Sequence, residues 1–411
     1  MSGRWRILLV VTHAPPRGER LASSLIPGLP PRDVALMAAR LLHAGADVRV
    51  LDQDSERLTP TVVRREAQRW RADLVLLHAG GSFVADDPLP DARPLRRLLR
   101  GWRWRAPLVA CGPLALRYGP ELLESLPRLS GALRGDVHAS LVGGWRPAEV
   151  PGLLAREGSA APVAPAAPAH DAGVAQDGSL PAWHVLLLEA LGADTPDGVR
   201  QVDVLTTPGD AARTLAEVRH AVRRAGARRL VFGDRDFGAE PDLARDVAGG
   251  MLAAAPGLPW TCRVRADRLD ARLALTLVNG GCTDVLVVAP GGLHAPGLMP
   301  MDDPGRPRLE SAVEAARVIG LRTMVEHVIG RPGHTPEMLG AWQRWYRDRR
   351  MLVRARVRVL HAGDRGDGVP RLAEAHARAG CWDNALRPRD VEHAVREVGV
   401  RALLAAGAAD P

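Results

Sequence analysis

Apolar runs alternate with amphipathic helical patterns along the first 150 residues. The run Arg6–Thr12 is almost wholly apolar, as expected of a strand that is buried on both faces. After it, apolar residues repeat at helical spacing from Val34 to Leu41, and Gly45 suits the end of that helix. Four strands are predicted in this part of the chain: Arg6–Thr12, Asp47–Asp52, Leu74–His78 and Pro107–Cys111.

A second series of apolar runs follows a segment of different composition. Residues 156–180 are rich in alanine, proline and glycine and show no periodicity, which is typical of a linker. We therefore predict an N-terminal domain over 1–150, a linker over 151–182, a second domain over 183–365 and a helical tail over 366–411. The second domain has six predicted strands: Val202–Thr206, Arg229–Phe232, Trp260–Val264, Asp284–Val288, Thr323–Ile329 and Leu352–Leu360.

Strands that alternate with helices predict an α/β architecture with parallel sheets. The first domain is expected to be a doubly wound, Rossmann-like sheet, in which ligands bind at the carboxyl ends of the strands. The loops after Thr12, His78 and Cys111 are then the ones that face a ligand. The second domain, with six βα units, is expected to form a partial barrel whose active face lies at the same ends of its strands.

Arginine supplies every basic side chain of this chain. The 411 residues contain no lysine, and the formal net charge is +8. Because the arginines are spread along the sequence and form no cluster, nucleic acid is not an expected partner. The absence of lysine also excludes a Walker phosphate loop and Schiff-base chemistry.

The cysteines are too far apart to form a familiar thiol motif. Cys111, Cys262, Cys282 and Cys381 include no CxxC pair, which argues against a zinc ribbon or a disulfide scaffold and favours a reducing cytoplasm. The opening MSGRWRILLVV has no signal-peptide cleavage site, and no apolar run is long enough to span a bilayer. We therefore expect a cytoplasmic protein with no membrane partner.

Local motifs in both domains resemble those of one family when they are taken in order. The first domain has LIPGLPPRDVALMAARLLHAGADVRVLD, ACGPLA at 110–115 and LRGDVHASLV at 133–142. LPAWHVLLLE, LVFGDRDFGAE, GLPWTCRVRADRLD, VNGGCTDVLVVA and HVIGRPGHTPEML follow it along the chain. In order and spacing, these motifs are similar to those of radical S-adenosylmethionine (SAM) enzymes with an N-terminal cobalamin-binding domain.

This resemblance implies a cobalamin-binding type of Rossmann-like domain followed by a radical-SAM type of partial (β/α)6 barrel. It makes cobalamin the expected cofactor, held by the ligand-facing loops of the first domain. Among the candidate contacts, His13 has the alternative role of a hydrogen-bonded structural residue. The full set of candidate contacts is His13, Ala14, Pro15, Gly80, Gly81, Ser82, Cys111, Gly112, Pro113 and Gly135.

The sequence departs from the family where an iron–sulfur cluster would bind. The family carries CxxxCxxC in the loop after the first barrel strand, where three thiolates hold a [4Fe–4S] cluster and SAM occupies the open iron. Here VDVLTT runs through Pro208-Gly209 directly into a helix, and Ala289-Pro290-Gly291 stands where the family has a ribose-contacting glutamate. We therefore expect no cluster, no metal site and no reductive cleavage of SAM.

Four polar residues of the second domain are candidates for catalysis. Asp234 and Asp236 follow the second barrel strand, where they could bind a cation or transfer protons, or else cap a helix and pair with arginines. Arg263 suits recognition of a carboxylate or phosphate, and a structural ion pair is the alternative. His327 lies on a strand predicted to line the barrel, and it could equally be a core histidine.

Three functional hypotheses remain open on the sequence alone. The first is a degenerate or accessory protein that retains cobalamin and assists a partner protein in a specialised, natural-product pathway. The second is a cobalamin-dependent enzyme, such as a methyltransferase, that works without SAM cleavage. The third is a glycosyltransferase with two Rossmann domains, because RILLVVTHAPPRGER also resembles the opening of that fold.

Overall fold

The computed structural model of the protein divides into two compact units. The described residues lie within 4–186 in the first unit and within 200–357 in the second. Residues 13–15 and 80–82, which include six of the candidate cofactor contacts, lie outside the described residues, as does the predicted tail 366–411. The described ranges are 4–12, 32–53, 56–79, 92–135, 137, 141–142, 144–156, 180–186, 200–234, 236–288, 300, 302–329 and 335–357.

The first unit contains a six-stranded sheet in the order β2-β1-β3-β4-β5-β6. Strands β1 to β5 run parallel, and β6 pairs with β5 in the antiparallel direction. The strand order reverses at β1, as in a doubly wound sheet, so its neighbours β2 and β3 lie on either side of it. The strands are β1 (Arg6–Val11), β2 (Asp47–Asp52), β3 (Leu74–His78), β4 (Leu108–Cys111), β5 (Gly131–Leu133) and β6 (Leu153–Ala155).

Helices cover this sheet because its apolar strands must be shielded from water. Every residue of β3 and β4 is buried, and each fully buried leucine or valine contributes about 1.5–3 kcal/mol to stability. Trp102 belongs to the same core. The helices are α1 (Arg32–His43), α2 (Pro60–Trp70), α3 (Arg93–Leu99) and α4 (Pro113–Ser125).

The first unit extends beyond the boundary that the sequence predicts for it. Strand β6 lies in the segment 151–182, which the composition marks as a linker. Trp183, which we assigned to the second domain, is fully buried in the first unit, where the turn Trp183–Val185 contacts α1 and β2. The backbone N–H of Ala182 donates to the carbonyl of Ala35 at 2.9 Å. Composition alone misses these segments because each is short and lies beside a polar, proline-rich stretch.

The second unit contains a six-stranded sheet whose strands all run parallel and follow one another in chain order. Its strands are β7 (Gln201–Val204), β8 (Arg229–Phe232), β9 (Trp260–Arg265), β10 (Cys282–Val288), β11 (Arg322–Ile329) and β12 (Leu352–Val357). Its helices are α5 (Ala211–His220), which continues as a π-helical turn over Ala221–Ala225, α6 (Pro241–Ala254), α7 (Ala271–Asn279), α8 (Arg306–Val318) and α9 (Pro336–Asp348).

Sequential parallel order determines which face of the second sheet the helices cover. Right-handed crossovers between successive strands place every connecting helix on the same face, as in a βα barrel. The opposite face is then the one that the interior of a barrel would present. The prediction of an α/β protein with two largely parallel sheets is therefore confirmed.

Candidate functional site

The carboxyl ends of β1 and β3 are joined in the first unit. Thr12, directly after β1, donates to the carbonyl of His78 from its backbone N–H at 2.8 Å and from its hydroxyl at 2.9 Å. His78 is the last residue of β3, and its Nε2 lies 2.6 Å from Oδ2 of Asp33. An ionised carboxylate only accepts hydrogen bonds, so the imidazole N–H is the donor. This edge of the sheet therefore carries a buried histidine–aspartate pair.

Both members of the pair are buried, and one carboxylate oxygen of Asp33 is left over. The side chain of His78 is 1% exposed and that of Asp33 is 8% exposed. Oδ2 of Asp33 accepts from the imidazole, whereas Oδ1 is buried and has no hydrogen-bond partner among the described residues. Asp33 belongs to the first turn of α1. It is a polar residue at the predicted ligand edge that the sequence candidates do not include.

Gly112 completes this edge at the end of β4. Its φ of +84° is in the region that favours glycine, and a Cβ added there would lie 2.7 Å from two atoms of the His78 ring. The imidazole therefore packs directly on the glycine backbone. Pro113 then begins α4, so both residues serve the strand-to-helix turn at the ligand edge.

Two further candidates of the first unit are Cys111, which is buried, and Gly135, which has open space beside it. Burial, and to a lesser degree the charge of Asp33, raises the pKa of the Cys111 thiol well above its usual value. That thiol is fully buried and stays protonated at neutral pH, which makes it a poor nucleophile or metal ligand. Gly135 follows β5, and an added Cβ would meet no atom within 4 Å.

In the second unit, the connection between β7 and α5 consists of residues 205–210. It contains no cysteine, and several of its backbone N–H groups donate hydrogen bonds within the unit. The N–H of Thr206 donates to the carboxylate of Asp234 at 3.1 Å, and its hydroxyl donates to the same group at 2.6 Å. The remaining N–H groups of the connection donate to Thr214 Oγ1, Glu240 Oε2 and the carbonyl of Thr207. The connection is a closed turn.

Asp236, which also follows β8, forms hydrogen bonds and an ion pair with other residues than Asp234 does. It accepts from the backbone N–H groups of Gly238 and Arg265, both at 3.1 Å, and it forms an ion pair with Arg268 at 3.2 Å. Asp234 holds the β7–α5 connection, while Asp236 holds the end of β9. The two carboxylates thus contact different elements. These contacts fit the alternative in which both residues have a structural role.

The face of the second sheet opposite the helices carries buried charges. Alternation along the strands puts Asp203 of β7, Arg263 of β9 and Glu326 of β11 on this face. All three are buried, and Arg263 Nη2 lies 2.5 Å from Glu326 Oε2. The ion pair reaches across β10, over Leu286. Charged side chains from alternate strands form a polar layer where a closed barrel usually packs aliphatic residues.

His327 follows Glu326 and therefore faces the helices. Its Nδ1 lies 3.1 Å from the hydroxyl of Tyr346, and its ring packs near Trp342 of α9. Burial raises the pKa of Tyr346 well above its usual value, so that hydroxyl keeps its proton. The structure thus separates His327 from Arg263 and gives it the surroundings of a core histidine.

Sequence reasoning singled out some of these residues and missed others. Arg263 was a candidate, but its partner Glu326 and the nearby Asp203 were not. A period-two reading of VEHVIG would have put Glu326, and not His327, on the face of Arg263. Asp33 carried no such signal, because its partner His78 lies 45 positions away in the sequence.

Solved structures match this chain, whereas no family model and no curated protein matches it. The radical SAM methyltransferase TsrM from Kitasatospora setae, with cobalamin and a [4Fe–4S] cluster bound, matches with a TM-score of 0.59. The identity is 17%, over 86% of this chain and 72% of TsrM. TsrM with tryptophan substrate and a SAM analogue gives a TM-score of 0.60 at 18% identity, over 86% and 73% of the two chains.

The cobalamin-dependent SAM radical enzyme OxsB, with aqua-cobalamin and SAM bound, matches with a TM-score of 0.57 at 10% identity. The match covers 94% of this chain but 56% of OxsB. This chain has the fold of these enzymes. At such low identity the likeness concerns the fold, and neither the cofactors nor the activity of TsrM or OxsB is transferred by it.

The described residues offer neither a membrane-spanning helix nor a cluster of metal-binding side chains. None of the helices in the described ranges is long and apolar enough to cross a membrane. Within the same ranges, no group of three or more histidine, cysteine, aspartate or glutamate side chains is arranged to hold a metal ion.

Proposed function

We propose that this protein binds cobalamin and works without a [4Fe–4S] cluster, as a degenerate or accessory member of the radical SAM fold in a specialised biosynthetic pathway. It shares a fold with two cobalamin-dependent enzymes, TsrM and OxsB. The observation that carries the proposal is the closed, cysteine-free connection 205–210 after the first strand of the second sheet.

The residues present do not fit an iron–sulfur cluster. A cluster needs three thiolates in one loop. Along the sequence, no two cysteines of this chain are closer together than Cys262 and Cys282. Both are buried within strands, and burial raises the pKa of Cys262 well above its usual value, with neighbouring Cys282 adding to the effect. In the connection itself, the N–H and the hydroxyl of Thr206 are bound to the carboxylate of Asp234.

The described residues of the first unit fit a ligand at the carboxyl edge of its sheet. Gly112 lets the His78 ring pack directly on its backbone, and Asp33 Oδ1 offers a buried acceptor. Thr12, His78 and Asp33 would form the floor of the site. Cobalamin, when bound, supplies one-carbon transfer chemistry. The chain's contribution would be to bind the cofactor, exclude water from its lower surface and orient it through this floor.

The direct test is cofactor loading. The purified protein is mixed with hydroxocobalamin, desalted, and analysed by visible spectroscopy and by elemental analysis for cobalt and iron. A parallel sample is incubated with iron, sulfide and reductant under anaerobic conditions. We expect stoichiometric cobalt with an altered corrin spectrum, and no iron above that of a buffer control.

Each outcome bears on a different half of the proposal. Retained iron, or cleavage of SAM by the pure protein, would contradict the cluster-free half. Loss of all cobalt on desalting would contradict the cobalamin half. In that case, co-purification from the native host would test whether the chain serves as a scaffold for a partner protein.

A cobalamin-dependent enzyme is the second candidate, and the polar layer of the second sheet favours it. Asp203, Arg263 and Glu326 are costly to bury, and a purely structural barrel would not need them. Alanine at Arg263, with the folded state verified, should abolish product formation in the pathway if this layer binds substrate. Unchanged output would remove this candidate.

The glycosyltransferase alternative does not fit the second sheet. A second Rossmann domain requires a strand order that reverses, whereas β7 to β12 lie in chain order.

A further inference from the structure

We propose that Asp33 contacts the cofactor directly, by accepting a hydrogen bond on Oδ1 from a carboxamide N–H at the rim of the corrin ring. His78 is the positioning residue that holds the carboxylate. This inference rests on the proposed cobalamin function and assigns one contact within that site. It concerns a residue pair that no sequence motif marks.

The first observation is an acceptor left over at the right edge of the sheet. Asp33 is more than nine-tenths buried, and its Oδ2 is bound by His78 at 2.6 Å. Oδ1 has no hydrogen-bond partner among the described residues. Buried carboxylate oxygens are rarely left in this state, because each lost hydrogen bond to water costs free energy that the fold does not recover. A donor from a ligand would supply the missing bond.

The second observation is that the carboxylate cannot turn away from the edge. His78 packs on the backbone of Gly112, and its carbonyl accepts two hydrogen bonds from Thr12. The backbone of His78 is therefore held by Thr12, its ring is packed on Gly112, and the ring fixes Oδ2 in turn. Oδ1 is left at the carboxyl edge, where a doubly wound sheet receives its ligand.

The chemistry of the ligand follows from that of the acceptor. An ionised carboxylate has no proton to donate, so its partner must be an N–H or O–H group. The corrin ring of cobalamin carries primary carboxamides around its rim, and each has two N–H donors. A hydrogen bond to a charged acceptor is also stronger than one between neutral groups, which makes such a contact selective.

The test compares two variants and two ligands. Asp33→Asn keeps the size of the side chain but can present an N–H to the ligand in place of an acceptor. Asp73→Asn is the matched control, because Asp73 precedes β3 at the opposite edge of the same sheet, where it accepts from the backbone N–H of Arg6. Affinities are measured by spectral titration with cobinamide, which retains the carboxamides, and with heptamethyl cobyrinate, in which esters replace them.

We expect Asp33→Asn to lose both affinity for cobinamide and the preference for cobinamide over the ester. For cobinamide, Asp33→Asn should weaken binding by about tenfold or more, and Asp73→Asn should leave it within about twofold. The preference of the wild-type protein for cobinamide over the ester should shrink in Asp33→Asn by a similar factor, as a double-mutant cycle requires. A purely structural role for Asp33 would weaken both ligands equally and leave that preference unchanged.

The two proposals fail in different ways. If the wild-type protein binds neither ligand, the cobalamin function and this contact both fall. If it binds cobinamide and Asp33→Asn binds it equally well, the contact falls and the cobalamin function stands. Far-UV circular dichroism and thermal unfolding of each variant show whether a loss of binding comes from unfolding.

The positioning role of His78 is tested in the same way. His78→Gln, which retains a donor toward Oδ2, should bind cobinamide more tightly than His78→Ala.

Discussion

At the scale of single residues, the first unit depends on a glycine that no other residue replaces well. Gly112→Ala adds a Cβ at 2.7 Å from the His78 ring and at 3.2 Å from the carbonyl of Ala79, at a φ of +84°. The ring cannot yield because Asp33 holds it. We expect a loss of about 1–3 kcal/mol in the free energy of unfolding, measured by urea denaturation.

Gly249→Ala is the control for that substitution. Gly249 lies within α6, and an added Cβ meets nothing within 4 Å, so alanine should stabilise the helix by up to about 1 kcal/mol. Equal stability of Gly112→Ala and wild type would mean that the His78 ring is free to move. In that case the fixed floor of the ligand edge would also be lost.

The contacts of single residues were the hardest feature to predict from the sequence. Sequence reasoning included Gly112 because the loop after Cys111 was expected to face a ligand. It did not connect Asp33 with His78, since a contact between residues 45 positions apart has no periodic signature. For Asp234 and Asp236 it left open cation binding or proton transfer on one side and helix capping or arginine pairing on the other, and the two carboxylates contact different neighbouring elements.

At the scale of secondary structure elements, the β7–α5 connection is held by a carboxylate that follows the next strand, β8. Asp234→Ala removes the acceptor for the N–H and the hydroxyl of Thr206 and opens this turn. Because these hydrogen bonds reach a charged acceptor and are partly buried, we expect the free energy of unfolding to fall by about 1.5–3 kcal/mol. Denaturant unfolding of the full chain measures the change.

Asp246→Ala provides the comparison for Asp234→Ala. Asp246 is exposed on α6, where alanine is a good helix former, so stability should change by less than about 0.5 kcal/mol. If Asp234→Ala proved equally harmless, the connection would be held by its other hydrogen bonds. The acid–base role that the sequence suggests for Asp234 would then regain support.

Elements were predicted well where apolar runs are long and poorly where they are short. The runs over 47–52, 74–78 and 229–232 match β2, β3 and β8 residue for residue. Strands β5 and β6 were not predicted, because three residues each give no usable alternation. The pairing of β6 with β5 is set by tertiary contact and not by local preference.

At the scale of the whole molecule, fold and function separate clearly. The order of two parallel sheets along the chain is encoded redundantly, in ten predicted strands and the helices between them, and TM-scores near 0.6 bear it out. The fold depends on the hydrophobic pattern of many strands and helices, whereas a reaction depends on a few residues at one site. The shared fold therefore leaves the chemistry of this chain to be tested at its own residues.

Residues 180–186 contact the first unit and make a last prediction possible. Co-expression of two pieces, residues 1–179 and 180–411, gives a protein whose chain is cut before residue 180. Such a cut would leave residues 180–186 on the C-terminal fragment. Trp183 is fully buried against α1 and β2 of the first unit, and Ala182 is hydrogen-bonded to Ala35. We therefore expect the two fragments to elute together in size-exclusion chromatography.

Trp183→Ala tests whether this buried tryptophan holds the fragments together. Removing a fully buried indole costs about 3–5 kcal/mol, enough to weaken the association of the fragments by a hundredfold or more. The fragments of the cut Trp183→Ala variant should therefore associate more weakly than those of the cut wild-type protein, whereas Trp183→Phe, which keeps much of the buried area, should stay close to wild type. Separation of the cut wild-type protein would mean that Trp183 docks only because the intact chain holds it close to the first unit.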